Sequence, residues 1–497
     1  MKKLLSTLFL IVVVMQLHAQ LTADFTVNTA EGVAIPYRIL TGTDKQLDAS
    51  VNEVGVYGKI NSPATDVVIP STVTYGGVTY TVSCIYSINT SHLKSLTFPP
   101  TIHAITHNSL ENIHVKELHI PATITKIEVS ALYQAEIDEV WLPSTGLKTI
   151  EDNFSFAMEG TKRLHGLAQS QIEYIGRSSF PIWPTISQYS DYLNDISVLP
   201  PTIRVVGDRA FTQGFTDGFP LDEVVIPASM ERLGEEVYNI AHDVYIKGAN
   251  PFTLGMNAFG TQSTLKVHVP ADCSVAFKAA ADWASYADKV IEDVKIGATG
   301  YTSYYLENEN FLVPAGCTAY IITGTTPSGN KTNPDQAVVK AFTAGKIIPK
   351  QTGFILQGPA NSTVVYQANV TGTEESVAGN YLVGTATEQE LSGAGYKYYV
   401  LADGSQGLGF YSQGTRGGES IKLGAHHAGL RLPVAIARAK SFTVDFEGAR
   451  QEAEATGIST VEETKQQHAD VIYDLQGRRI VNPTHGIYII NGKKVIK

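Results

Sequence analysis

Cysteine is scarce in this chain: Cys84, Cys273 and Cys317 are the three among 497 residues. They lie far apart and lack metal-ligand spacing, which excludes a cysteine-based metal centre and a disulfide framework. A single Cys84–Cys273 or Cys273–Cys317 bond stays open, and three small buried thiols is the simpler reading. Positive charge is also short, with 37 Lys and Arg against 48 Asp and Glu, a formal charge of −11. That balance argues against nucleic acid as a partner, because phosphate neutralisation drives such binding. Beyond the first 20 residues no apolar run reaches the ~18 residues of a membrane helix, so no transmembrane segment is expected in the mature chain. Gly-x-Ser-x-Gly, His-Glu-x-x-His, Walker and Gly-x-Gly-x-x-Gly motifs are missing. No catalytic residue, cofactor or metal site is therefore assigned. His103 and His107, with His92, His114 and His119 nearby, would suit zinc on a helix, but His103 lies on a turning segment between inward Ile102 and Ile105.

What the chain does have begins with a secretory signal. Lys2 and Lys3 precede an apolar run from Leu4 to Met15, and Leu17-His18-Ala19 is a cleavage site. Cleavage is expected between Ala19 and Gln20. No cysteine follows it, so no lipid anchor is expected there.

A phrase then recurs: apolar, any residue, apolar, proline. It reads Leu96-Thr97-Phe98-Pro99, Leu118-His119-Ile120-Pro121 and Val140-Trp141-Leu142-Pro143. Phe98, Ile120, Leu142 and Leu164 are each 22 residues apart. Each unit has a second half. Ile102, Ile105 and Leu110 follow Phe98, and Ile124, Ile127 and Leu132 follow Ile120 at the same offsets. Leu199 leads to Ile203, Val206 and Phe211; Ile226 leads to Met230, Leu233 and Tyr238. Alternate residues of the step face inward, and proline ends the strand because it cannot donate to the ladder. No unit buries its apolar side alone, so neighbours stack, each buried Leu, Ile or Phe contributing roughly 1.5–3 kcal/mol. A period in the low twenties is that of a leucine-rich-repeat solenoid. About eight units fit between residues 67 and 292.

Residues 93–132 resemble the BspA-like leucine-rich repeats of bacterial surface proteins in the Bacteroidota. Ile175-Gly176-Arg177-Ser178-Ser179-Phe180 and Val206-Gly207-Asp208-Arg209-Ala210-Phe211 carry that family's Ile-Gly-x-x-Ala-Phe phrase. The units between 143 and 200 are stretched, and the Leu164 unit lacks its proline.

The expected fold is mainly β. A signal peptide (1–19) precedes an N-terminal β cap (20–66) and the solenoid (67–292), which a short helix at 275–283 closes. An all-β, sandwich-like domain (296–446) follows, with strands such as Thr318–Ile322 and Lys397–Leu401. Its Tyr301, Tyr304 and Tyr305 are either a carbohydrate platform or ordinary cross-strand packing, and packing is the simpler reading. Glu- and Gln-rich 447–469 reads as a flexible linker. The tail, 470–497, carries net +3 on an acidic chain and two strands around Asn491-Gly492, a type I′ hairpin signal. Asp474, Gly477, Arg478, Gly486, Tyr488, Asn491 and Gly492 resemble the sorting domain of the type IX (Por) secretion system. That resemblance implies contact with the secretion machinery and an extracellular or outer-membrane location.

If the repeats stack in register, the residues between the apolar pair line one sheet face: Thr97, His119, Trp141, Arg163, Val198, Val225, Tyr245 and His268. Trp, Tyr and Arg dominate binding hot spots, so Thr97, His119, Trp141, Arg163, Tyr245 and His268 are the ligand-binding candidates. The bland alternative is that this face packs on a neighbour. The resemblance implies adhesion: host extracellular matrix or cell-surface proteins, other bacteria, or glycans. Two other readings are a structural surface-layer or filament-type subunit and a glycan-processing accessory protein or enzyme.

Overall fold

Proline closes most front strands of the repeat and opens the turn behind them, whereas the strands ending at His165 and Ile246 lack it. The computed structural model describes residues 22–463 except 61–64, 91, 112, 134, 153–157, 160–162, 181–189, 212–219, 239 and 330–332, together with 472–473, 479–480, 487–490 and 493–496 of the tail. Ala19, Gln20, Asp474, Gly477, Arg478, Gly486, Asn491 and Gly492 lie outside the described residues, and Tyr488 lies in a tail strand. The chain divides into two units, Met1–Asp293 and Val294–Lys497.

In the first unit the strands Asp66–Val68, Leu93–Thr97, His114–His119 and Ala135–Trp141 pair in parallel as a front ladder. Its inward row, Val67, Leu96, Leu118 and Val140, is 0% exposed. Behind the strands, Ile102 N donates to Pro99 O, Ile124 N to Pro121 O, Ile203 N to Pro200 O and Met230 N to Pro227 O. Proline thus accepts in the turn while offering no donor to the strand. The chain crosses to a back ladder of two-residue strands, where Ile105, Ile127, Ile150, Ile175, Val206, Leu233 and Leu254 stack in parallel register.

The glycine of the Ile-Gly phrase has a steric cause. A Cβ on Gly207 would lie 2.4 Å from the Arg177 backbone nitrogen, and one on Gly234 2.4 Å from that of Asp208. Successive coils approach here more closely than any side chain permits. Two residues on, Ser178, Arg209, Glu236 and Asn257 all take a left-handed φ between 50° and 54°, as Asn108 and Ser130 do at 55° in the earlier coils. This bend turns the chain so that Phe180, Phe211 and Tyr238 form a row, with ring centroids 5.9 and 5.5 Å apart.

Both ends of the stack are covered. At the N-terminal end Phe25–Asn28 and Ala34–Ile39 form a hairpin that pairs antiparallel with Glu53–Ile60 and extends the back ladder. At the other end helix Ser274–Ala279 and the 3-10 turn Ala281–Tyr286 bury Trp283, whose Nε1 donates to Phe252 O at 2.9 Å. All three cysteines are thiols, with Cys84 and Cys317 buried and Cys273 half-buried. Burial, with smaller contributions from Glu128, Asp44 and Glu53, pushes the Cys84 thiol up to about 12.

The second unit holds a nine-stranded mixed sheet. One of its pairs is parallel, Asp335–Thr343 with Ser441–Val444. Tyr320, Ile355, Leu382, Phe410, Leu430 and Phe442 form its core. Tyr304 is 5% exposed and hydrogen-bonded to the Tyr366 hydroxyl at 2.7 Å, and Tyr301 stacks on Phe446 at 4.5 Å. Tyr304 is thus a packing residue and Tyr301 packs one ring face, while Tyr305 is half-buried. The linker expectation is corrected over 447–463, which belongs to the α-helix Phe446–Glu463, while 464–469 lie outside the described residues. Phe446 anchors it against Tyr301 and Tyr320, and Arg450 bonds Glu447 and Glu454 along its surface. In the tail, Ile472–Tyr473, Arg479–Ile480, Ile487–Ile490 and Lys493–Ile496 form a small antiparallel sheet, with Ile490 paired to Lys493.

Candidate functional site

The front ladder turns one side of every strand outward. Register pairs Thr97 with His119, and His119 with Trp141. All three are exposed, Trp141 by 40%. The next residue of the row is His165, not Arg163, because Leu164 pairs with Val140 and Trp141 with His165. Equal 22-residue steps would set Leu164 beside Leu142; two extra residues in this coil shift the register. Arg163 pairs instead with Glu139, and its guanidinium turns to Asp195, with Nε 2.8 Å and Nη2 3.1 Å from the carboxylate oxygens. It is thereby tied to the helix Ser190–Ser197 rather than presented beside Trp141.

The row is an aromatic stack. Trp141 lies between His119, at 5.4 Å and 8°, and His165, at 3.8 Å and 14°. A parallel row of carboxylates borders it, since Glu117 and Glu139 are register neighbours. His165 Nε2 lies 2.9 Å from Glu139 Oε2, and His119 Nε2 3.9 Å from Glu117 Oε2. Imidazoles thus flank the indole on both sides, His165 in close stacking and His119 offset.

The later candidates sit in a second stretch of ladder, where Val198 bridges Val225, Val225 pairs with Tyr245 and Tyr245 with His268. His268 is 5% exposed and so is not presented to a ligand. Its Nδ1 lies 2.8 Å from Asp293 and its Nε2 2.9 Å from Asp243, while its ring stacks on Tyr245 at 4.3 Å. Burial works against the charged imidazole, but the hydrogen bonds and charge of the two carboxylates outweigh it and hold its pKa above the ordinary value. Tyr245 is half-buried, with Lys247 Nζ 5.4 Å above its ring.

The sequence reading named His92 and His114 only as neighbours of His103 and His107 and did not group them with Glu136. His92, His114 and Glu136 each offer a ligand atom within 4.8 Å of the others. Their signal was present as a 22-residue spacing, the period of the repeat. A search for helical i, i+4 pairs does not detect it, because on a parallel ladder neighbours in space are one coil apart in sequence.

Two parallel ladders joined by proline turns, with a glycine row and an aromatic row behind them, define a leucine-rich-repeat solenoid. Residues 85–212 match the BspA type leucine rich repeat region in 6 copies. No curated protein matches the chain. Among solved structures it is similar to a leucine-rich repeat protein from Bacteroides ovatus ATCC 8483, at 18% identity over 53% of this chain and 81% of that one, with a TM-score of 0.26. It is also similar to the pneumococcal vaccine antigen PcpA, at 12% identity over 54% and 97% of the two chains and a TM-score of 0.19. A leucine rich cell surface protein from Faecalibacterium prausnitzii A2-165 aligns at 13% identity over 54% and 94%, with a TM-score of 0.16.

Proposed function

We propose that this chain is an exported, non-enzymatic surface protein that binds a macromolecular ligand, in the manner of an adhesin, through the outward row of the front ladder. The observation that carries this reading is the His119–Trp141–His165 stack, with His119 and Trp141 exposed, on a face otherwise built for regularity. A Trp side chain left 40% exposed in such a row contributes little to the core and much to a contact. A flat sugar ring stacks best on an open aromatic face, and here His165 lies against one face of the indole and His119 flanks the other. A protein surface fits better, its acceptors meeting the indole N–H edge and its basic side chains meeting Glu117 and Glu139.

Delivery to the surface rests on the signal segment and the basic tail. Deleting residues 470–497 is expected to leave the protein in the periplasm, and normal surface display of that truncation refutes this part of the reading.

The binding test is a screen of residues 20–469 on arrays of matrix proteins and glycans, beside Trp141→Ala. A protein hit weakened by the substitution supports the reading. A hit that the substitution leaves unchanged moves the site off this row, and a blank array favours a structural surface subunit.

A further inference from the structure

We propose that His92, His114 and Glu136 bind a divalent transition-metal ion of the zinc class on the front of the solenoid. This site stands apart from the proposed ligand row and does not depend on it.

The argument starts from the repeat. Glu136 pairs with His114 across the ladder, and Leu93 with Val115, which sets His92 one strand over from His114. Adjacent strands are about 4.8 Å apart, so the outer two of three rungs are about 10 Å apart, and the side chains must lean together to bring their ligand atoms to one ion. One atom from each residue already lies within 4.8 Å of the others. The imidazoles of His92 and His114 stack at 4.9 Å and 22°, and His114 Nδ1 lies 2.8 Å from Glu136 Oε2.

The platform beneath is rigid. Leu93, Ile113, Val115, Ala135 and Ile137 flank the three ligands in sequence, and all are buried. The His114 backbone N–H donates to Thr90 Oγ1 at 3.2 Å, fixing the central ligand. Two imidazoles and one carboxylate are donors that zinc, nickel and copper prefer, whereas calcium and magnesium select oxygen. Three protein ligands leave a position open for water or for a side chain from outside. The row His119–Trp141–His165 lacks this property, since its rings stack on an indole rather than converge on a point.

The test is calorimetric titration of ZnCl2 into the chelator-stripped full chain at about pH 7.5, since metal binding needs deprotonated ligands. One equivalent is expected to bind. His92→Ala and His114→Ala should each weaken it at least about tenfold, and His119→Ala should leave it unchanged. Lowering the pH to about 5.5 should weaken binding, because the ligands must lose protons. CaCl2 should give no comparable heat. Melting curves in EDTA that match the parent protein show that the variants are folded. No binding up to about 1 mM zinc, a range that still detects weak sites, overturns the proposal. So does one-equivalent binding that His92→Ala and His114→Ala leave intact.

Discussion

Trp141 and His165 are 24 residues apart in sequence, yet their rings stack at 3.8 Å. The contact follows from the register that pairs Leu164 with Val140. It places a polarisable, titratable edge on the open side of the ladder. Trp141→Ala should abolish ligand capture while costing about 0.5–1.5 kcal/mol of stability, the worth of an aromatic pair at a half-open site. Urea unfolding read beside the binding assay checks both halves, and a loss of several kcal/mol would recast Trp141 as a core residue.

Gly207→Ala should destabilise the solenoid by about 1–3 kcal/mol or more, because its Cβ has no room against the preceding coil. Gly248→Ala is the matched control, since its Cβ would meet nothing nearer than 3.4 Å. Thermal unfolding of the two variants separates crowding from the general effect of replacing glycine.

Ile120→Asp should unfold the first unit and leave the second folded. Ile120 is 4% exposed, and an unpaired carboxylate there costs several kcal/mol. Calorimetry should show the transition of residues 22–293 shifted down or lost while a second transition persists. An unchanged first transition would refute the stacking account of this coil.

His268 gives the first unit a pH dependence of known sign. Its pKa is raised in the folded protein by Asp293 and Asp243. Folding therefore favours the protonated ring. The stabilisation is fully present below the unfolded pKa of about 6.5 and is lost as pH rises through the higher folded value. His268→Gln should flatten the melting temperature across that window. A parent protein whose melting temperature climbs between pH 6.5 and 8 would contradict it.

The repeat was legible because its determinants are local. Phe98, Ile120 and Leu142, with Ile102, Ile105, Ile124 and Ile127, advertise inward positions through apolarity alone, and each is buried. Arg163 was misplaced because register depends on coil length. Two added residues are invisible to a rule that counts in equal steps. The helix Phe446–Glu463 was hidden by its composition. Its polar residues are those of a solvated linker, and only the packing of Phe446 on Tyr301 and Tyr320 supplies the anchor. His268 reads outward by alternation, but Asp243 and Asp293, each 25 residues away, enclose it.

The glycine row and the left-handed bend carry one more consequence. Gly176, Gly207, Gly234 and Gly255 each seat their coil against the one before it, so the front residues of those coils take their positions from behind. A change at Val198, Val225 or Tyr245 alters one outward position while the seating of the coils at Gly207, Gly234 and Gly255 stays as it is. Such a surface can change its outward residues one coil at a time without disturbing the stack.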